Sequence, residues 1–249
     1  MRYFIELSYN GKSYHGWQIQ PNAISVQEVL EKSLSMVLRK TIQVVGAGRT
    51  DAGVHATQIF AHFDVDVEID QDKIAYKLNA LLPKDIAIQR IFRVQDDAHA
   101  RFHAVKRSYE YKIVINKNAF QYEFTHCVKQ ALDVGKMNEA AKVLYEYTNF
   151  QCFSKVKTDV YTYNCDIYRA DWQWRDNTLV FTISADRFLR NMVRAIVGTL
   201  LEIGLGRLSI EGLHNIIKSK NRSEAGTSVP GHALYLTEVQ YPDTIFYGR

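Results

Sequence analysis

The 249-residue chain lacks the features that mark several classes of protein. It has three cysteines, Cys127, Cys152 and Cys165, and no CxxC pair. An odd count without paired spacing argues against a disulfide framework and predicts reduced thiols in a cytoplasmic setting. Cys152 and Cys165 have no histidine nearby in sequence to activate them, so inert buried thiols are expected. No uninterrupted apolar run is long enough to cross a bilayer, so no membrane association is expected. Met1-Arg2-Tyr3-Phe4-Ile5-Glu6 alternates and lacks the apolar core run of a signal peptide, so none is expected there. Low-complexity tracts and long linkers are absent. Two nucleotide fingerprints also fail. Glu6 stands where a phosphate loop ending in Gly11-Lys12-Ser13 needs a glycine, and Asp51 stands at the third glycine of a dinucleotide motif beginning at Gly46. His99 and His103 are four apart, but no helix is read there and no Glu completes a zinc motif, so no metal is expected.

What is present describes a globular chain with a sizeable core. Hydrophobic residues make up 47% and charged residues 23%, values ordinary for such a protein. A net charge of +4 is compatible with a polyanionic partner. The 15 tyrosines suit base stacking, although most of them should simply fill strands.

Periodicity places the elements. Residues 2–9 alternate as a strand, with Tyr3, Ile5, Leu7 and Tyr9 on one face. Ser25-Val26-Gln27-Glu28 is a capping box opening a helix whose stripe is Val26, Val29, Leu30, Leu34 and Val37. A strand over 42–49 follows, then one over 58–66 with His62 on its polar face, a helix over 70–82 stopped by Pro83, and a strand over 85–94. The second half reads as a strand over 104–115, a helix over 133–147, and strands 162–173 and 178–186 about the hairpin signal Arg175-Asp176-Asn177. Helices over 187–203 and 209–219 and a strand over 233–240 complete it. Each half is therefore β-α-β-β-α-β, the split βαβ or ferredoxin-like unit, with one extra short helix in the second. The expected class is α+β: two ferredoxin-like lobes, 1–100 and 101–249, sharing a largely antiparallel sheet.

The chemistry concentrates between the strand-like runs Gln43–Val45 and Gln58–Asp66, in Gly46-Ala47-Gly48-Arg49-Thr50-Asp51-Ala52-Gly53-Val54-His55-Ala56. Glycine permits positive φ and close approach of a ligand to the main chain. Arg49 and Asp51 are one residue apart and share a side if the loop is extended there, in which case the guanidinium keeps the carboxylate ionised. An ionised carboxylate on a loop held by strands can serve as a nucleophile. The competing reading is a turn whose Asp and Thr cap local amides. His55 reads as a structural hydrogen-bonding residue. Arg187, Arg190 and Arg194 fall on one face of the 187–203 helix and suit an anion, or else form a solvated basic face. Arg101, His103, Lys106 and Arg107 precede Tyr109, a basic and aromatic grouping that fits a nucleic-acid surface. A non-catalytic RNA-binding module would use the same surface without needing an ionised Asp51.

Gly48-Arg49-Thr50-Asp51-Ala52-Gly53-Val54-His55-Ala56 resembles the active-site motif of the tRNA pseudouridine synthase A (TruA) family. Further stretches resemble that family in order along the chain. They are Tyr9-Asn10-Gly11, Tyr14-His15-Gly16-Trp17-Gln18 and Val26-Gln27, then Leu78-Asn79-Ala80-Leu81-Leu82-Pro83 with Asp85-Ile86, and Ala98-His99-Ala100-Arg101-Phe102. Arg107-x-Tyr109-x-Tyr111 and Phe188-Leu189-x-x-Met192-Val193-Arg194-x-Ile196-Val197-Gly198 complete the series. The resemblance implies the pseudouridine synthase fold and the isomerisation of uridine to pseudouridine at positions 38, 39 and 40 of the tRNA anticodon stem-loop. It implies Asp51 as nucleophile, attacking C6 or C1′ or removing a sugar proton. It implies Tyr109 stacking on the target base and helping proton removal at C5, Arg49 helping to extrude the nucleotide, and Arg194 as an ion-pair partner of the nucleophile. It further implies a homodimer that works without metal or organic cofactor. Residues 149–172, including Lys155, Lys157, Asp159 and Cys165, depart from the family pattern, and Arg190 stands where a histidine is frequent.

Overall fold

A computed structural model describes residues 1–155 and 160–247, so Lys157 and Asp159 lie outside the described residues. The elements run β1 (Arg2–Tyr9), α1 (Val26–Leu38), β2 (Val45–Gly46), β3 (His55–Asp64), α2 (Gln71–Leu81), β4 (Ile86–Arg93), β5 (Lys106–Val114) and β6 (His126–Cys127). They continue α3 (Val134–Val143), β7 (Ile167–Arg175), β8 (Thr178–Ala185), α4 (Met192–Gly204), α5 (Ile210–Ser219) and β9 (Leu234–Gln240). The α+β class is present. The chain forms two compact units, Met1–Lys106 with Tyr235–Arg249, and Arg107–Leu234.

In the first unit β4, β1, β3 and β2 are successive antiparallel neighbours, the strand order of a split βαβ unit. The C-terminal strand also returns to this unit, pairing in parallel with the start of β3 through His55↔Tyr235 and Ala56↔Leu236. Ser25 caps α1, its hydroxyl accepting the Glu28 N–H at 3.2 Å. The Glu28 carboxylate pairs with Lys32 one turn on, so only half of the expected capping box forms. The expected strand over 42–49 shrinks to Val45–Gly46. The reason lies in α1: the N–H groups of Ile42 and Val44 are taken by Ser35 Oγ and Glu31 Oε1, both at 2.9 Å, which leaves them unavailable to a ladder. On β3, His62 is not outward but 5% exposed. Both faces of this sheet are covered. The aromatic face of Phe4, Phe60 and Phe92 is roofed by Tyr241, whose ring centroid is 5.2 Å from that of Phe4, and by Phe246, 5.7 Å from Phe92.

In the second unit β5, β8 and β7 form an antiparallel run, and the short β6 pairs in parallel with β5. The hairpin at 175–178 is as expected, with Asp176 at φ 51° supplying the left-handed turn residue. The helix expected over 187–203 begins at Met192. Asn191 sits at φ 67°, which an α-helix cannot continue through, and Arg187 and Arg190 lie in the segment before it. They do not share a helical face with Arg194. Met192, Val193, Ala195, Ile196, Val197, Leu200, Leu201 and Ile203 of α4 are all buried, as suits a helix enclosed by the α3 helix and its neighbours, and Arg194 and Glu202 mark its less buried side.

Candidate active site

The loop between β2 and β3 is held from both of its ends. Ala47 N–H donates to Phe60 O at 2.8 Å, anchoring its start to the sheet. After Asp51 the chain turns: Val54 N–H donates to Asp51 O at 3.2 Å, with Gly53 at φ 75°. Asp51 is half-buried and Arg49 exposed. The ion pairs formed within this unit include Arg2–Asp64 and Arg90–Glu6, which join neighbouring strands.

The stretch from Tyr9 to Trp17 is not a surface loop but the bed on which this turn lies. The Tyr9 hydroxyl is 2.9 Å from Thr50 Oγ1. Gly53 N–H donates to Tyr14 O at 3.2 Å. Gly16 adopts φ 88°, and a Cβ there would stand 2.1 Å from Thr50 O. At Gly11 a Cβ would stand 2.0 Å from Val54 O, and at Gly46 it would stand 2.4 Å from the Trp17 indole. Side chains at these positions would push the turn out of place. Tyr14 is buried and donates to Asp85 Oδ1 at 2.6 Å; burial, reinforced by that carboxylate, pushes the phenol well above its usual range. Asn10 N–H bonds Asp85 O at 2.8 Å, and Asn79 clasps the Ile88 backbone through both its side-chain amide atoms. The motifs around Tyr9–Trp17 and Leu78–Asp85 therefore do mechanical work on the Asp51 loop.

His55 is the hydrogen-bonding residue expected. It is buried, its Nδ1 accepts the Gly11 N–H at 3.0 Å, and its ring stacks on Tyr235 at 4.7 Å. An Nδ1 that accepts carries no proton on that nitrogen. His99 and His103 bond backbone instead of forming a metal pair: His99 Nδ1 accepts from Arg101 and Phe102, and His103 Nδ1 accepts from His99. Among the described residues no group of three or more His, Cys, Asp or Glu is placed to hold a metal ion.

In the second unit, Tyr109 lies on β5 opposite Ile183, half-buried, with its ring edge-on to Phe188 at 5.1 Å. Tyr111, two residues on, is buried and donates to Pro230 O at 3.1 Å. Arg194 occupies the first turn of α4. Its Nε donates to Val229 O at 2.7 Å, and Val229 N–H donates back to Arg194 O at 3.2 Å. The 226–229 segment lies close against α4, since a Cβ on Gly198 would stand 1.9 Å from Thr227 O. Arg222 was not singled out by its sequence context. It secures the same segment through Ala225 O, Gly226 O and Ser228 Oγ. Cys152 and Cys165 are buried and free, and burial pushes each thiol up to about 12, which makes them the inert thiols expected.

A family model described as tRNA pseudouridine synthase matches residues 7–103 and 140–242, spans that include the Asp51 loop and Arg194 but not Tyr109. A Bacteroides fragilis protein named tRNA pseudouridine synthase A is 56% identical over 247 residues, 98% of each chain. A protein of the same name from Parabacteroides distasonis is 54% identical over 246 residues, 98% of each chain. One from Bacillus subtilis is 41% identical over 246 residues, 97% of this chain and 99% of that relative. With a family model matched over most of its length and relatives this similar end to end, the chain belongs to the tRNA pseudouridine synthase family, a family of isomerases.

Proposed function

We propose that the protein isomerises uridine to pseudouridine in tRNA, at positions 38, 39 and 40 of the anticodon stem-loop, with Asp51 as the reacting carboxylate. The observation that carries this reading is the bed beneath the turn: Tyr9, Gly11, Tyr14 and Gly16 fix the backbone on either side of Asp51 while its side chain stays half-exposed. A turn serving only to cap its own amides has no need of such support.

The reaction is balanced without any external reactant. The N1–C1′ bond breaks, the base rotates, a C5–C1′ bond forms, the C5 proton leaves and N1 takes one up. Asp51 starts it by attacking C6, by attacking C1′ or by removing a sugar proton, and each route requires the ionised carboxylate. The base must leave the helical stack, at a cost of a few kcal/mol. Tyr109 supplies a ring for stacking, and Arg49 and Arg194 supply positive charge for the extruded nucleotide and its phosphates. In this reading the catalytic loop belongs to a lobe of residues 1–100, and Tyr109 to a lobe of residues 101–249. The enzyme works in the cytoplasm as a homodimer, without metal or organic cofactor. The central test is Asp51→Asn, assayed by tritium release from C5-labelled uridine in an anticodon stem-loop. It should abolish release and leave RNA affinity near the parent's; retained activity would reject the role. Mapping pseudouridine in tRNAs carrying a single uridine at 38, 39 or 40 tests the position, and sedimentation tests the dimer.

A further inference from the structure

We propose that Tyr9 is a positioning residue: its hydroxyl, paired with the Thr50 hydroxyl at 2.9 Å, sets the place of the adjoining Asp51 carboxylate. The proposal rests on the reading of Asp51 as the reacting group.

Tyr9 is the last residue of β1 and is ladder-paired on both sides, to Ala56 on β3 and Ile86 on β4. It is 4% exposed, and its ring lies 6.3 Å from the Trp17 indole, which itself fills the space in front of Gly46. A ring set in the sheet in this way has one fixed position, so its hydroxyl is a fixed point. Thr50 is held to it by the side chain and lies against Gly16 by its carbonyl. On the other side of Asp51, the Val54 and Gly53 N–H groups bind Asp51 O and Tyr14 O. The residue before the carboxylate and the turn after it are thus both referred to the N-terminal strand and the loop that follows it. A displacement of about 1 Å in a reacting group can cost on the order of a hundredfold in rate. A single neutral hydrogen bond adds little to the stability of a whole domain, so its loss should be read in turnover.

The test compares Tyr9→Phe, Thr50→Ser, Thr50→Val and the double variant Tyr9→Phe/Thr50→Val. Single-turnover tritium release is measured at saturating stem-loop, beside RNA affinity and melting temperature. Tyr9→Phe and Thr50→Val should each slow the chemical step roughly tenfold with affinity and melting temperature near parental. Thr50→Ser, which keeps the hydroxyl, should restore the rate. The double variant should be no slower than the slower single one, because both remove the same hydrogen bond. A parental rate in Tyr9→Phe, a multiplicative double variant, or a rate loss matched by a fall in melting temperature overturns the proposal. Asp51→Asn run alongside separates the two ideas. If it is inactive while Tyr9→Phe is unaffected, only the positioning role falls; if it is active, the reading of Asp51 falls and takes this one with it.

Discussion

Gly16 occupies a position closed to every other residue by two independent constraints. Its φ of 88° is a conformation that side-chain-bearing residues rarely adopt, and a Cβ would meet Thr50 O at 2.1 Å. Gly16→Ala should therefore cost about 2–6 kcal/mol, the range of strain and overpacking combined, and should reduce tritium release as the Asp51 turn shifts. Urea denaturation with a midpoint equal to the parent's would show that the loop absorbs a methyl group. Tyr109 offers the opposite case, where a small change should leave the fold alone. Its ring is held edge-on by Phe188, so Tyr109→Phe retains the stacking surface and removes only the hydroxyl. We expect RNA binding to persist and turnover to fall; equal turnover would mean that the hydroxyl has no chemical task.

At the scale of elements, the segment from Ala98 to His103 is tied to β3 and to itself by imidazoles that accept backbone protons. His62 Nδ1 accepts the Ala100 N–H at 3.1 Å, and the His62 and His99 rings meet edge to face at 4.7 Å. Burial, helped by the positive charge of Arg2 and His99 and opposed by Asp64, lowers the His62 imidazole to about 4; His99 is lowered for the same leading reason. An imidazole whose pKa is depressed in the fold is kept neutral there, whereas the unfolded chain protonates it at its ordinary value. Stability is thus fully present above about pH 6.5 and is lost as pH falls toward 4. Asp64, lowered by Arg2, acts only below its own ordinary range and so does not contribute within that window. Urea midpoints should decline from pH 7 to pH 4.5, and His62→Gln should flatten the decline. A parent whose midpoint is constant over that range would contradict the assignment.

At the scale of the whole molecule, the net charge of +4 favours an anionic partner. Arg187, half-buried, and Arg190, exposed, lie ahead of α4 with Asn191. Changing both to Gln should weaken tRNA binding and reduce the slope of log affinity against log salt by about one for each phosphate no longer neutralised. An unchanged slope would assign these arginines to a merely solvated surface.

The α+β alternation, most element positions, and the gathering of glycine, arginine and carboxylate in one loop are legible in the residues alone. These follow from periods of two and 3.6 and from neighbours in the chain, so a local pattern suffices to show them. It misplaced what depends on distant partners. The β2 strand shortens because α1 takes its amides, α4 starts late because Asn191 turns left-handed, and His62 is buried because the C-terminal tail and the Ala98–His103 segment cover a face that reads as polar. That Tyr9 and Gly16 bear on Thr50, and that the last strand returns to pair with β3 at His55 and Ala56, emerges from the folded chain. Those interactions join residues far apart in the chain through sheet register and close backbone approach, neither of which leaves a periodic trace in the residues concerned.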